Sequence, residues 1–178
     1  MIMAKHFKLT KETKVTALGV TLFRIECTVD CKWAKVGDKG GWVEKEDNIR
    51  GSAWVGGSAV VCGSAWVGGS AWVGDSAVVC GSAWVGDSAV VCGSAVVRGS
   101  AVVRGSADYC AFQSFGSVGR TTTAYRTKDG GVQVSCGCFL GTVSEFAEKV
   151  KETHGDSQLG KEYNAIIEVI KVKFGLTE

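Results

Sequence analysis

The sequence predicts a mainly β protein. It would have a parallel β-helix of about four coils over residues 41–110, an N-terminal β-hairpin cap over 1–40 and a C-terminal α+β (ββαα) domain over 111–178. Three observations predict this. A six-residue word, (Gly/Asp)-Ser-Ala-x-Val-x, repeats through the middle of the chain. Ahead of it, apolar residues alternate around a Gly-containing turn. Behind it, alternation gives way to two runs with apolar residues at helical spacing.

Within the word, Ala recurs at every sixth position from Ala53 to Ala107, and Val follows two residues later from Val55 to Val103, with Tyr109 closing the series. A strict period of six fits neither a 3.6-residue helix nor an isolated hairpin; it fits short strands joined by tight corners and stacked in parallel. Residues at i and i+2 of a strand point to one side. A small Ala beside a branched Val fills a narrow prism, with Gly-Ser or Asp-Ser supplying the bend. Three flats close one coil of roughly 18 residues, with coils about 4.8 Å apart. Residues 51–110 carry only two Arg and three Asp, which suits a stacked, largely apolar wall.

Sorting the outward positions by coil gives three columns: Trp54, Trp72, Val90, Asp108; Trp42, Val60, Val78, Val96; and Asn48, Trp66, Trp84, Val102. Contiguous apolar columns mark an interface. The expectation is a homo-oligomer, a homotrimer, held by Trp54, Trp66, Trp72 and Trp84, with a terminal domain covering the Val column. The next outward positions give Gly56, Gly74, Cys92, Cys110; Glu44, Cys62, Cys80, Arg98; and Arg50, Gly68, Gly86, Arg104. Cys62 would stack on Cys80 and Cys92 on Cys110. The pairs lie on different flats and cannot make one tetrahedral metal site, so they read as small edge-filling residues or, where geometry allows, reversible disulfides.

At the N-terminal side, "KVTALGVTLFRIECTV" reads as a hairpin turning at Leu18-Gly19, and Cys27 and Cys31 form an isolated C-x3-C pair. At the C-terminal side, "TTTAYRT" and "VQVSCGCF" read as strands joined through "KDGG". A helix capped by Thr142 or Ser144 would stop at Gly155, and a second would carry Tyr163, Ile166, Ile167, Ile170 and Phe174 on one face. The N-terminus "MIMAKHFKLTKETK" is too polar for a secretory segment, and no apolar run approaches the roughly 18 residues of a membrane span. The expected setting is the cytoplasm, where the eight Cys would be free thiols. A net charge of +2 does not suggest a binder of nucleic-acid polymers.

The hexads "VGGSAW", "VCGSAW" and "VGDSAV" resemble those of the hexapeptide-repeat, left-handed β-helix superfamily, which includes acyltransferases and gamma-type carbonic anhydrases. The left hand is implied by that resemblance. The enzymes of the superfamily work through His in or near the coils, whereas this chain has only His6 and His154, both outside them. The segments "GDKGGWVEKEDN", "GSVGRTTTAYRTKDGGVQVSCGCFLGT" and "KETHG" are similar to uncharacterised phage and prophage proteins with Gly-rich hexads and a C-terminal domain of unknown function. That similarity implies a phage-type origin, in a host cytosol, and no known activity.

One Cys/His constellation remains, Cys136 and Cys138 with His154, three residues that could ligate a metal; the favoured reading is an alternating strand and a His near a helix C-terminus. No catalytic residues, cofactor or metal ligands are assigned. A basic set, Arg98, Arg104, Arg120, Arg126 and Lys128, falls near the junction of coils and tail. Arg forks suit phosphate and a nearby Trp suits a stacked base, although solubility at a solenoid end explains such charges too. The reading that follows is a non-catalytic, homo-oligomeric phage-type binding protein sequestering an anionic, nucleotide-like signal of host defence. The alternative is an oligomerisation scaffold binding a host or virion protein; a Cys/His-dependent enzyme ranks third.

Overall fold

The computed structural model describes residues 5–176; the first four residues of the polar N-terminus, and residues 177–178, lie outside the described residues. The hexads build a parallel β-solenoid of two-residue strands on three flats. One flat stacks β4 (Trp54–Val55), β7 (Trp72–Val73) and β10 (Val90–Val91). The second stacks β5 (Val60–Val61), β8 (Val78–Val79) and β11 (Val96–Val97), and the third β6 (Trp66–Val67), β9 (Trp84–Val85) and β12 (Val102–Val103). Successive coils pair in register 18 residues apart, as in Trp66↔Trp84 and Val60↔Val78. The hexad Ala and Val side chains from Ala53 to Val103 are buried and form one continuous core. Each fully buried Val contributes roughly 1.5–3 kcal/mol relative to exposure.

The corner explains the Gly/Asp choice. Its first residue has positive φ, at Gly51 (64°) and also at Asp75 (56°) and Asp87 (50°). Gly adopts this conformation freely, and Asp tolerates it better than most residues. Asp75 makes use of it, accepting a hydrogen bond at Oδ2 from the Gly93 backbone N–H of the next coil at 2.9 Å.

The solenoid makes about three full turns rather than four. The first level is incomplete on its third flat, where Glu46–Asn48 is a short 3-10 turn and Ile49 makes only an isolated bridge to Val67. Asn48, at a position the hexad frame points outward, is buried. Its Nδ2 donates to the Ala65 carbonyl at 2.7 Å, so it ties the incomplete level to the first whole coil.

Both ends are covered. The hairpin β1 (Phe7–Val15) and β2 (Thr21–Cys27) pairs antiparallel with β3 (Lys39–Val43), which continues in parallel onto β5. Phe7 and Ile25 thereby join the solenoid core. At the other end Tyr125 is 0% exposed and belongs to that same core.

The tail contains four antiparallel strands, where the sequence suggests two: β13 (Tyr109–Phe112), β14 (Thr122–Arg126), β15 (Val132–Cys136) and β16 (Phe139–Thr142). "VQVSCGCF" is not one strand, because Gly137 takes positive φ (58°) and turns the chain into a hairpin. α1 (Val143–His154) is capped by Thr142, with Glu145 closing the capping box. α2 (Gln158–Phe174) is capped by Ser157, whose side chain accepts from the Gly160 N–H. Tyr163, Ile166, Ile167, Ile170 and Phe174 are buried against the tail sheet as their spacing predicts.

Candidate functional site

The third flat carries a four-tier stack. Trp66 and Trp84 lie ring on ring, 5.1 Å between centroids and 24° apart. Arg50 covers Trp66 at 4.7 Å and Arg104 covers Trp84 at 4.9 Å. The sequence provides room for this: a Cβ at Gly68 would clash with Cζ3 of Trp66, and one at Gly86 with Nε1 of Trp84. Each ring can therefore lie flat over the wall. The Nε1–H of Trp84 is buried without an acceptor, so stacking and Gly86, not a hydrogen bond, set its position.

The tail turns this wall into a cleft. Ala101 bridges Thr127, and the Lys128 N–H donates to the Ser100 carbonyl at 2.9 Å, bringing the β14–β15 loop over the last coil. The resulting cavity, about 500 Å³, is lined by Trp66, Trp84, Ser82, Ser100, Val102, Arg104, Arg126, Thr127, Lys128 and Gly130. Among the described residues, neither the Arg104 guanidinium nor the Lys128 ammonium has a carboxylate partner. Arg126 is held more firmly: its Nη2 donates to the Phe174 carbonyl at 3.1 Å, and its Nε lies 3.9 Å from Asp108. The cleft thus offers an aromatic floor, three hydroxyls and three cations, which suits a flat ring carrying negative charge.

The structure divides the basic set. Arg104, Arg126 and Lys128 share the cleft; Arg98 and Arg120 do not line it. Arg98 sits on the second flat, and its Nη2 donates to the Phe139 carbonyl at 2.6 Å and the Gly137 carbonyl at 3.3 Å. Arg120 lines a separate hollow of about 240 Å³ with Cys136, Cys138, His154 and Tyr163. Position 98 and position 104 are consecutive in the hexad frame and so lie on different flats, which parts them.

In that hollow Thr122 Oγ1 donates to Cys136 Sγ at 3.4 Å, and His154 stacks on Tyr163 at 5.3 Å. Among the described residues no group of three or more His, Cys, Asp or Glu is arranged to hold a metal.

The two Trp columns differ in cover. The outward position that the hexad assigns to Trp54 is closed by the chain itself: Trp54 is 3% exposed, with His6 6.2 Å from it and His6 Nε2 2.8 Å from the Ala53 carbonyl oxygen. Trp72 is covered by Trp33, stacked at 6.0 Å, whose Nε1 donates to the Ser70 carbonyl at 2.9 Å. Trp54 is therefore not an anchor available to a neighbouring subunit. No family model matches the chain, and no curated protein does. The resemblance to hexapeptide-repeat and phage-type proteins is therefore carried by the sequence motifs alone. Arg50 escaped the sequence reading; its signal was its place in one column with Gly68, Gly86 and Arg104, around the two stacked Trp.

Among the described residues, no helix is long and apolar enough to cross a membrane.

Proposed function

We propose that the protein is a non-catalytic, phage-type binding protein of the hexapeptide-repeat kind, sequestering an anionic, nucleotide-like small molecule in the cytosol. The observation that carries this reading is the cleft itself, where a stacked Trp66–Trp84 floor faces Arg104, Arg126 and Lys128. A base that takes the place of the Arg104 guanidinium on the face of Trp84 would gain roughly 1–3 kcal/mol by stacking, and a hydrogen bond to a charged group about 1.5–3 kcal/mol. Self-association, as a trimer, belongs to the same proposal. The half-buried Val60, Val78 and Val96 and the 43% exposed Val90 support it.

Calorimetric titration with linear and cyclic nucleotides tests the binding claim. The expected result is a dissociation constant below millimolar for at least one member of the panel. It should weaken about tenfold to a hundredfold on Arg104→Ala, with the fold unchanged. If no nucleotide binds more tightly than about millimolar, the sequestration reading fails. Light scattering tests the assembly, and a monomer at micromolar concentration would refute it.

A scaffold role is the second reading. It is favoured by the exposed apolar side chains of the tail, Phe115, Val118, Val169 and Val172, which a protein partner could cover.

A further inference from the structure

All eight cysteines are free thiols, and two of them are placed differently from the rest. Cys62 and Cys80 follow Val61 and Val79, which pair in register on adjacent coils of the second flat. Parallel in-register strands hold equivalent Cα atoms about 4.8 Å apart, inside the roughly 4.4–6.8 Å that a disulfide spans. Both side chains are part-exposed, so an oxidant can reach them.

We propose that Cys62 and Cys80 are a redox couple in the solenoid wall, closing reversibly to a disulfide that staples two successive coils. Their surroundings assign the roles. Cys62 keeps its proton, its thiol pushed well above the ordinary range first by the neighbouring Cys80 thiol, then by burial and by nearby Glu44. Cys80 is pulled down to about 7 by the neighbouring Cys62 thiol and by Arg98, against the opposing effect of burial. Tyr125, near enough to feel the Cys80 charge, is pushed up to about 12, chiefly by burial, and so stays neutral. Cys80 is the nucleophile and Cys62 the resolving thiol.

The oxidant is a hydroperoxide. The Cys80 thiolate attacks the outer peroxide oxygen. The O–O bond breaks, the leaving oxygen takes up a proton as water or alcohol, and Cys80 becomes a sulfenic acid. The Cys62 sulfur then attacks the Cys80 sulfur, and the hydroxyl leaves as water with the Cys62 proton. Two thiols are oxidised and one peroxide is reduced. A small dithiol reverses the step by exchange.

The other thiols lack this arrangement. Cys27 lies near Cys31, but it is buried, donates to the Val29 carbonyl at 3.1 Å, and has its thiol pushed up by burial. Cys110 does not continue the Cys92 column. It sits in β13, opposite Ala124 of β14, and packs against the tail core.

Oxidation of the whole protein by one equivalent of hydrogen peroxide at neutral pH tests this, followed by alkylation and peptide mapping. Trypsin cannot separate the two thiols, because no Lys or Arg lies between Arg50 and Arg98. Cleavage before Asp can, giving fragments 47–74 and 75–86 with one Cys each. The expected product joins these fragments, is two hydrogens lighter than their sum, and separates with dithiothreitol. A linkage at Cys27–Cys31 instead, or a Cys80 oxidised to sulfinic acid beside an alkylated Cys62, would overturn the proposal. Alkylation rates against pH give a second readout. Cys80 should react with a midpoint near 7, moving upward in Arg98→Gln; a midpoint above about 8.5, the ordinary thiol value, in the wild type would also overturn it.

Discussion

The two tryptophan ladders are written almost identically. Trp54 and Trp72 on one flat, and Trp66 and Trp84 on another, are each followed by Val and then Gly. The first ladder is finished inside the chain, by His6 and Trp33 from the N-terminal segment. The second is flanked by Arg50 and Arg104 and left facing a cleft. One sequence pattern therefore produces a packed wall and a binding floor. The difference comes from which terminal segment reaches each flat, a long-range outcome that a local repeat does not encode.

The sharpest way to break this comparison is to truncate one ring in each ladder. Trp54→Ala removes a buried aromatic side chain from the solenoid core and should destabilise by about 3–5 kcal/mol. Trp84→Ala removes a half-buried ring and should cost clearly less stability, while abolishing detectable nucleotide binding. Urea denaturation and calorimetric titration on both variants check this. Equal destabilisation by the two would show that the second ladder is structural filling rather than a binding floor.

Much of this organisation is legible in the residues. The period of six, the Ala and Val interior, the hairpin before the coils and the apolar face of α2 follow from patterns spanning only a few neighbours. Three features were not legible. Asn48 is buried because the first coil is incomplete, which makes a plug of an outward position. Gly137 breaks "VQVSCGCF" through a positive φ that alternation alone conceals. The basic set splits because Arg98 is clamped by the Phe139 and Gly137 carbonyls of the tail, a contact between residues about forty apart. The cleft itself is half legible: Arg104, Arg126 and Lys128 stand out as a basic set near a Trp, whereas the β14–β15 loop that closes over the last coil rests on contacts the repeat does not encode.

Glycines sharpen the comparison at a smaller scale. A Cβ at Gly86 would clash with the Trp84 ring, and one at Gly74 with the Trp72 ring, whereas one at Gly105 would meet nothing within 4 Å. Gly86 and Gly74 lack the positive φ that would strain any side chain, so the conflict is with the ring. Overpacking of this kind typically costs about 1–3 kcal/mol. Gly86→Ala can relieve it by tilting Trp84 into the cleft, which should weaken ligand binding with little loss of stability. Gly74→Ala has less freedom, because Trp33 lies over Trp72, so its cost should appear in thermal unfolding. Gly105→Ala serves as the control and should be silent in both measurements.

The smallest expected effect concerns the cations at the ladders' outer faces. Lys32 Nζ lies 4.1 Å from the Trp33 ring centroid, as Arg50 lies 4.7 Å from that of Trp66. Each contact is solvent-facing, where a cation over an aromatic ring is worth about 0.5–1 kcal/mol. Lys32→Gln and Arg50→Gln should therefore lower the melting temperature by similar amounts, roughly 1–4 °C for a chain of this size. They should part in near-ultraviolet circular dichroism. Arg50 presses one face of the Trp66–Trp84 stack, so its loss frees the outer ring and reduces the coupled indole signal. Lys32 covers Trp33, whose indole N–H remains tied to the Ser70 carbonyl, so that ring should hold its place without the cation. An equal loss of signal in both variants would mean that the hydrogen bond does not anchor the first ladder's cover, and that the two ladders are equally mobile.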